Sequence, residues 1–284
     1  YDLRRLTTAE KEAEVVAPDL DLRITSQTLE CLIEHDNIRS FRGMYGASYM
    51  HQANVYEGRF FIPNFINNTW GAFFTERYVR PHLEVEAGLR YDEKYLQSFF
   101  YKAKTWTRAL RQFNNVTYNG GVIWRPDSVF NLFFNAGSAW RAPAASELYS
   151  NGIHQGIAAI EKGDENLKTE RCYNASLNAL YKIKNFNAEL TLYHNQFENF
   201  IYLDPANTLE LTIRGAFPVF NYKQANARIS GVDLKTEYVL NKYMSFIAKG
   251  MLVRAWNNSI RDYLIYMPAD RGELIVKLRL PQQG

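Results

Sequence analysis

The chain has 284 residues, of which 46% are hydrophobic and 22% are charged. Both fractions are those of folded proteins, so a disordered chain is excluded, and the net charge of +3 is too small for a nucleic-acid-binding surface. No run of 18 or more apolar residues occurs, which excludes a transmembrane helix. A transmembrane β-barrel stays possible, because barrel strands are recognised by alternation and not by mean hydropathy.

Taken in order, the chain starts with a polar and charged stretch over residues 1–19, which predicts a loop. Beyond it, apolar and polar residues alternate in about eleven segments, which is typical of strands with one apolar face. Cys31 and Cys172 fall about six strands apart, too far to form a disulfide. No helix is predicted. Short turns are predicted near residues 36, 80, 126, 185 and 241, and the internal long loops over 53–68, 93–111, 141–170, 200–226 and near 262.

Strand length and connection length together indicate the fold class. The strands run for roughly 11–14 residues, where about 5–6 is usual. Tilted by about 45°, they rise about 28 Å, close to the hydrocarbon thickness of a bilayer. Short turns at one end and long loops at the other are typical of outer-membrane barrels. We therefore predict an all-β, antiparallel transmembrane β-barrel with short periplasmic turns and long extracellular loops; a soluble sandwich or propeller is the alternative, but no blade repeat is present.

Each strand then has a lipid face and a lumen face. The predicted lumen-lining residues are charged and share the polar face of their strands: Arg42, Glu84, Glu86, Arg90, Asp233 and Lys235. Aromatic residues near strand ends are expected to band at the membrane interfaces: Tyr78, Tyr91, Trp124, Trp140, Tyr173, Tyr181 and Tyr238. Glu76 and His194 fit badly, because they share a face with apolar residues.

The loop over 141–170 holds the best candidate for a binding site: Tyr149, His154, Glu161, Asp164 and Glu165. One imidazole with several carboxylates could bind a transition metal or orient a metal chelate. A solvated loop whose polar residues hold its own fold is the alternative. No nucleophile elbow, phosphate-binding loop or zinc-site spacing occurs, so we expect no enzyme activity and no cofactor.

The same loop carries a recognisable signature. WRAPAASELYSNGIHQG (140–156), followed by GDENLKTE (163–170), resembles the signature of TonB-dependent outer-membrane receptors. EAGLRYD (86–92) and FNYKQANARISGVDLKTEY (220–238) resemble further segments of the family, in the family's order. The branch with a histidine-bearing ELY loop, which includes zinc and haem receptors, is the most similar.

The resemblance implies a plugged barrel of 22 strands in the outer membrane of a Gram-negative bacterium. It implies active uptake of a scarce nutrient such as a siderophore, haem or a metal, energised by the TonB protein acting on the plug. Lipid and lipopolysaccharide are the further implied partners. Tyr149, His154, Glu161 and Asp164 become the candidate ligand contacts.

The sequence also departs from the family. About eleven strands form half a barrel, so residues 1–284 are expected to be a partial barrel, with the plug domain and the closing strands outside this chain. Glu165 and Thr169 stand where the family has prolines, and Gln155 replaces a histidine common in the metal-binding branch. A passive porin and a surface-binding protein or adhesin without transport remain as alternatives, and the identity of the ligand and of any metal stays open.

Overall fold

The computed structural model describes residues 20–58, 60–102, 105–154 and 156–280. The predicted loop over residues 1–19 and the position of Gln155 lie outside these ranges. The strands are β1 (Leu20–Ile38), β2 (Phe41–Gly58), β3 (Asn64–Arg80), β4 (Leu83–Lys102), β5 (Thr105–Trp124), β6 (Phe130–Arg141), β7 (Asn151–His154), β8 (Ala159–Lys162), β9 (Glu170–Ile183), β10 (Phe186–Thr212), β11 (Gly215–Asn241), β12 (Met244–Asn257), β13 (Asp262–Tyr263) and β14 (Arg271–Leu278). A single helical turn, α1 (Ala145–Tyr149), lies between β6 and β7.

Eleven of these strands form one antiparallel sheet in which chain neighbours are also spatial neighbours. The order is β1 to β6, then β9 to β12, with β14 beside β12; β7, β8 and β13 are short strands within connections. The predicted fold class and the number of main strands are therefore confirmed. Cys31 lies on β1 and Cys172 on β9, six strands apart, and both thiols are free.

Four of the short turns match the prediction. The fifth differs, because β1 continues through His35 and the chain reverses at Arg39 and Ser40, with φ of 52° and 76°. The blurred alternation before this turn hid the end of β1. No helix among the described residues is long and apolar enough to cross a membrane.

Three predicted long loops are wrong, because most of their residues belong to paired strands. Residues 53–58 extend β2, residues 64–68 extend β3, and β4 pairs with β5 without interruption from Leu83–Trp124 to Lys102–Thr105. Residues 200–226 form a long β10–β11 hairpin that reverses at Ile213 and Arg214. Beyond the membrane both faces of a strand meet water or loops, so its outward positions need not all be apolar, and the regular alternation that signals the strand is lost.

The two faces of the sheet differ in polarity in the half that lies towards the short turns. The outward face carries exposed apolar side chains at matched register positions: Leu89, Tyr118, Phe134, Leu192, Val232 and Leu252. Aromatic pairs cross neighbouring strands on this face, with ring centroids 5.1 Å apart for Phe41–Tyr78 and 4.2 Å for Tyr49–Trp70. Such a belt is typical of a barrel wall in lipid.

The two poorly fitting residues keep their predicted face and find polar partners on it. Glu76 accepts a hydrogen bond from the Tyr45 hydroxyl at 2.6 Å and lies 3.0 Å from Nε2 of His35. These side chains meet over Gly43, where any Cβ would collide with both His35 and Glu76. His194 Nδ1 lies 2.8 Å from the Ser230 hydroxyl. Local pairing, and no register change, accommodates both residues.

Candidate functional site

Residues 142–154 and 156–170, here called the mouth segment, fold back onto the inward face at the long-loop end of the sheet. The segment begins with α1, and β7 and β8 then form a small hairpin. β8 also pairs in parallel with β11 through Val219–Ile160 and two further positions. The segment is therefore part of the sheet and not a free loop.

A core of apolar side chains fixes the mouth segment to the barrel wall. Leu148 and Tyr149 of α1 pack against Leu96 and Phe100 of β4, and all four are buried. The rings of Phe100 and Tyr149 stack with centroids 4.7 Å apart. Within the segment, Gly163 allows a close backbone approach, because a Cβ there would lie 2.6 Å from the backbone of Leu148 and Tyr149.

Arg141, at the end of β6, joins the segment to the wall by charge. Its guanidinium donates to both Glu147 oxygens at 2.9 and 2.8 Å and to both Glu170 oxygens at 3.2 Å. Glu147 also accepts the Ala144 N–H at 2.8 Å, so it caps α1, and Glu170 accepts the Ile201 N–H of β10 at 2.7 Å. One arginine thus links the helix to β9 and β10. Such charge-assisted bidentate pairs are the strong ones in proteins.

The predicted residues His154 and Glu161 meet across the β7–β8 hairpin. His154 Nδ1 lies 2.6 Å from Glu161 Oε1, and the other Glu161 oxygen accepts a hydrogen bond from the Tyr222 hydroxyl at 2.9 Å. The Glu161 side chain is 4% exposed and that of His154 is 42% exposed. The carboxylate therefore orients the imidazole, while Nε2 is the ring nitrogen not engaged with Glu161.

Tyr222 lies beyond the lipid-facing part of β11, and its pKa departs from the usual value. Burial of the phenol raises the pKa of Tyr222, and the hydrogen bond to the Glu161 carboxylate raises it further. Both causes favour the neutral hydroxyl, the form that can donate to the carboxylate.

The other predicted ligand residues have structural partners. Tyr149 is 7% exposed, and its hydroxyl lies 3.4 Å from Arg111 Nε, while Arg111 also donates to the Glu165 carbonyl. Asp164 Oδ1 accepts the Asn166 N–H at 2.8 Å and so closes a turn. Within the described residues no three His, Cys, Asp or Glu side chains converge as a metal site. The structure brings together His154 and Glu161 but not the whole predicted cluster.

A cavity of about 300 Å³ opens beside α1. Aromatic rings of Phe60 and Phe100 line it together with Tyr149, and Lys162 and Glu165 add charge at its border. Ser150 also lines it, and its buried hydroxyl has no hydrogen-bond partner within the described residues. Apolar walls with a few polar groups are typical of small-molecule sites. Sequence reasoning missed Arg111 and Tyr222, because only the fold brings these distant residues to the mouth. Arg141 lies in the predicted loop itself, but nothing in the sequence marked it as the residue that pairs with both Glu147 and Glu170.

The six predicted lumen residues all lie on the inward face of the sheet, opposite the apolar belt. Glu86 accepts from Arg77 Nε at 2.8 Å, and Arg90 donates to Asp92 at 2.8 Å. Asp233 and Lys235 border an inward groove of about 540 Å³ with Lys249 and Glu273, which form an ion pair at 3.0 Å. Trp140 differs from the other predicted interface aromatics, since its indole nitrogen lies 3.4 Å from Asp92, an inward residue.

Comparison with solved structures places this sheet among barrel walls. The copper transporter OprC superposes with a TM-score of 0.74 at 15% identity, over 92% of this chain and 42% of that one. The hemophore receptor HasR of Serratia marcescens, in complex with its hemophore HasA and heme, gives 0.67 at 16% identity, over 92% and 50%. The alcaligin receptor FauA of Bordetella pertussis gives 0.58 at 12% identity, over 93% and 44%. The chain thus spans half or less of the length of these proteins.

These features define an outer-membrane β-barrel wall with a folded segment at its mouth. The family described as TonB dependent receptor-like, beta-barrel matches residues 19–272, and the chain belongs to that family. Its barrels lie in the outer membrane of Gram-negative bacteria, so the apolar belt faces the lipid of that membrane. A comparison with curated protein sequences gives no match.

Proposed function

We propose that this chain is the central part of the barrel of an outer-membrane receptor that takes up a scarce nutrient with energy supplied through TonB. Family membership supports the proposal. So do the similar structures, which are described as a copper transporter, a hemophore receptor and an alcaligin receptor. All three of these similar structures are described as receptors or transporters.

The observation that carries the proposal is the folded mouth segment. A passive pore needs an open lumen, whereas here a buried apolar core and the Arg141 network hold the mouth segment against the inward wall. Fixing a segment costs about 1–2 kcal/mol of backbone entropy per residue, which these contacts offset. An ordered mouth can present a preformed ligand surface, which lowers the cost of binding.

The ligand contacts we propose are His154 and the border of the cavity beside α1. Glu161 holds the imidazole of His154 by Nδ1, so Nε2 is the nitrogen that can meet a ligand or its metal. Tyr149 contributes an aromatic wall of the cavity. Glu161 and Asp164 act on the ligand only indirectly, because the first orients His154 and the second closes a turn.

The rest of the machinery lies outside the described residues. We propose that further strands pair with the open edges of β1 and β14, and that a plug domain fills the lumen against the inward face. Arg42, Glu84, Glu86, Arg90, Asp233 and Lys235 then line or support that plug. A TonB-type protein acts on the plug, in keeping with the family, and moves it to admit the nutrient.

Ligand binding by the full-length protein tests the proposal. The protein, purified in detergent, is titrated with haem, ferric siderophores, copper and zinc, and the His154→Ala variant is titrated beside it. We expect saturable binding of one ligand at micromolar concentration or below, weakened about tenfold by the loss of one directed contact. Absence of saturable binding across the panel, with solute influx that rises linearly with concentration, would favour a porin.

A further inference from the structure

Three arginines face outward at one level of the barrel wall. Arg171 on β9 shares its face with Tyr173, Arg228 on β11 with Val232, and Arg254 on β12 with Leu252. They stand 12, 13 and 10 residues from the short-turn ends of their strands, at Ile183, Asn241 and Met244. At about 3.3 Å per residue and a tilt of about 45°, this is a height of roughly 23–30 Å. The lipid-facing belt of such barrels is about 25 Å tall, so the three guanidinium groups lie at its extracellular edge.

Two of the three cations have no partner in the part of the chain that the structure describes. Arg171 and Arg228 are exposed and form no hydrogen bond or ion pair within the described residues. Glu198 is the register partner of Arg171, but the two side chains do not bond. Arg254 is 59% exposed and donates to both oxygens of Asp270, at 2.6 and 2.8 Å. The patch therefore holds three cations and two anions, with the guanidinium groups of Arg171 and Arg228 open.

The rest of the described wall lacks these cations at the same level. Outward positions 10–13 residues from the short turns on β1 to β5 hold no arginine or lysine: Thr25, Gln27, His51, Ala53, Asn68, Trp70, Glu93, Tyr95, Gln112 and Asn114. The arginines are thus a local feature of β9 to β12. A general preference for cations at the membrane edge would have placed them around the whole wall.

Polar and aromatic side chains surround the arginines on the same face. Arg228 lies between Gln196 and Trp256 in the register, and Trp256 packs edge to face on Tyr263 with ring centroids 5.2 Å apart. His194 and Ser230 occupy the next outward positions towards the short turns, and they are hydrogen-bonded to each other. Arg228 and Arg254 are diagonal neighbours, whose Cα atoms are about 7–8 Å apart.

We propose that Arg171 and Arg228, beside the Arg254–Asp270 pair, bind the phosphate groups of the phosphorylated glycolipid of the outer leaflet, lipopolysaccharide. The planar guanidinium pairs with two phosphate oxygens at once, and this pairing strengthens where lipid excludes water. The three arginines lie at the edge of the apolar belt, where lipid headgroups and not acyl chains are found. They lie on the side of the long loops, which is the side of the outer leaflet. Gln196 and the rings of Tyr173 and Trp256 supply partners for sugar hydroxyls and sugar faces. This site stands apart from the proposed uptake function, and neither depends on the other.

Binding to full-length protein in detergent tests the site. The probes are purified lipopolysaccharide, the same lipid with its phosphates removed, phosphatidylglycerol dispersed in the same detergent, and inorganic phosphate. The test variants are Arg171→Gln and Arg228→Gln, and the matched control is Lys184→Gln, an exposed cation at a short turn on the opposite side of the membrane. A fourth variant, Glu198→Gln, removes a nearby negative charge.

We expect each arginine variant to weaken lipopolysaccharide binding by roughly tenfold, as for the loss of one charge-assisted contact. Lys184→Gln is expected to bind like the wild type, and Glu198→Gln to bind more tightly. Weak binding of the dephosphorylated lipid supports the assignment to phosphate. Equal binding by the wild type and both arginine variants overturns the site, and equal binding of phosphatidylglycerol overturns the choice of glycolipid. A compact, heat-resistant band on gels shows that each arginine variant is folded, which separates loss of binding from loss of fold.

Discussion

At the scale of single residues, Glu161 organises the mouth. Its carboxylate is buried, yet it receives a hydrogen bond from Tyr222 and lies beside the His154 imidazole. A buried carboxylate without partners would cost several kcal/mol, so both partners are needed to keep it in place. The contact between Glu161 and His154 also orients the imidazole, so Glu161 serves both the stability of the mouth segment and the proposed binding of a ligand.

Tyr222 should therefore show an unusual titration. Its folded-state pKa is raised above the ordinary value of about 10, so the stability it adds is complete below about pH 10 and declines as the pH rises further. In a spectrophotometric titration we expect the difference between the wild type and Tyr222→Phe to show one phenol that ionises after the others. At neutral pH the variant should lose about 1 kcal/mol of unfolding free energy. A Tyr222 that titrates with the exposed tyrosines would contradict the buried hydrogen bond.

At the scale of elements, the mouth segment depends on one close backbone contact. The segment carries a five-residue helix and a four-residue hairpin strand on each side of a tight turn, none of which is stable alone. Its stability comes from packing on β4 and from pairing with β11. Gly163 directly follows β8, the strand that pairs with β11, and lies against the backbone of α1.

Gly163→Ala tests that contact. The added methyl would meet the backbone of Leu148 and Tyr149 at 2.6 Å, so α1 must move. Overpacking of this kind costs about 1–3 kcal/mol. Gly250→Ala is the matched control, because no atom lies within 4 Å of the Cβ it adds. Hydrogen exchange should show faster exchange of the α1 amides in Gly163→Ala alone, and unchanged α1 protection in both variants would contradict the packing described.

Whether a strand or a site residue could be predicted from the sequence depended on what it contacts in the folded protein. Strands in lipid can be predicted from their alternation, as residues 83–91 were, because one face must be apolar along the whole span. The upper half of β5 does not, since its residues from Thr105 to Gln112 meet water on one side and loops on the other. At the site, the loop signature identified His154 and Glu161 from residues close in sequence. Tyr222 and Arg111 come from strands far along the chain and are joined to the site only by the register of the sheet.

At the scale of the whole molecule, the sheet has two open edges in the part of the chain that the structure describes. One edge of β1 and one edge of β14 have no strand beside them. In hydrocarbon each unpaired backbone group costs several kcal/mol, and β1 alone has 19 residues. That total far exceeds the roughly 5–15 kcal/mol by which proteins are stable, so we expect further strands to cover these edges in the membrane.

Gel migration tests this requirement. Residues 1–284 alone, refolded in detergent, should give no compact heat-resistant monomer, and should instead aggregate or associate edge to edge. The full-length protein is the control and should give the compact form. A compact monomer formed by residues 1–284 alone would show that this sheet can close on itself, and would remove the need for additional strands.

Energised uptake tests the central claim most directly. Cells that express the full-length protein as their only receptor for the bound ligand are compared with the same cells lacking TonB, and accumulation of that ligand is measured at a concentration near its Kd. We expect accumulation against the gradient that falls to the level of receptor-free cells when TonB is removed, while binding at the cell surface persists. Unchanged accumulation without TonB would contradict it and would identify a passive pore.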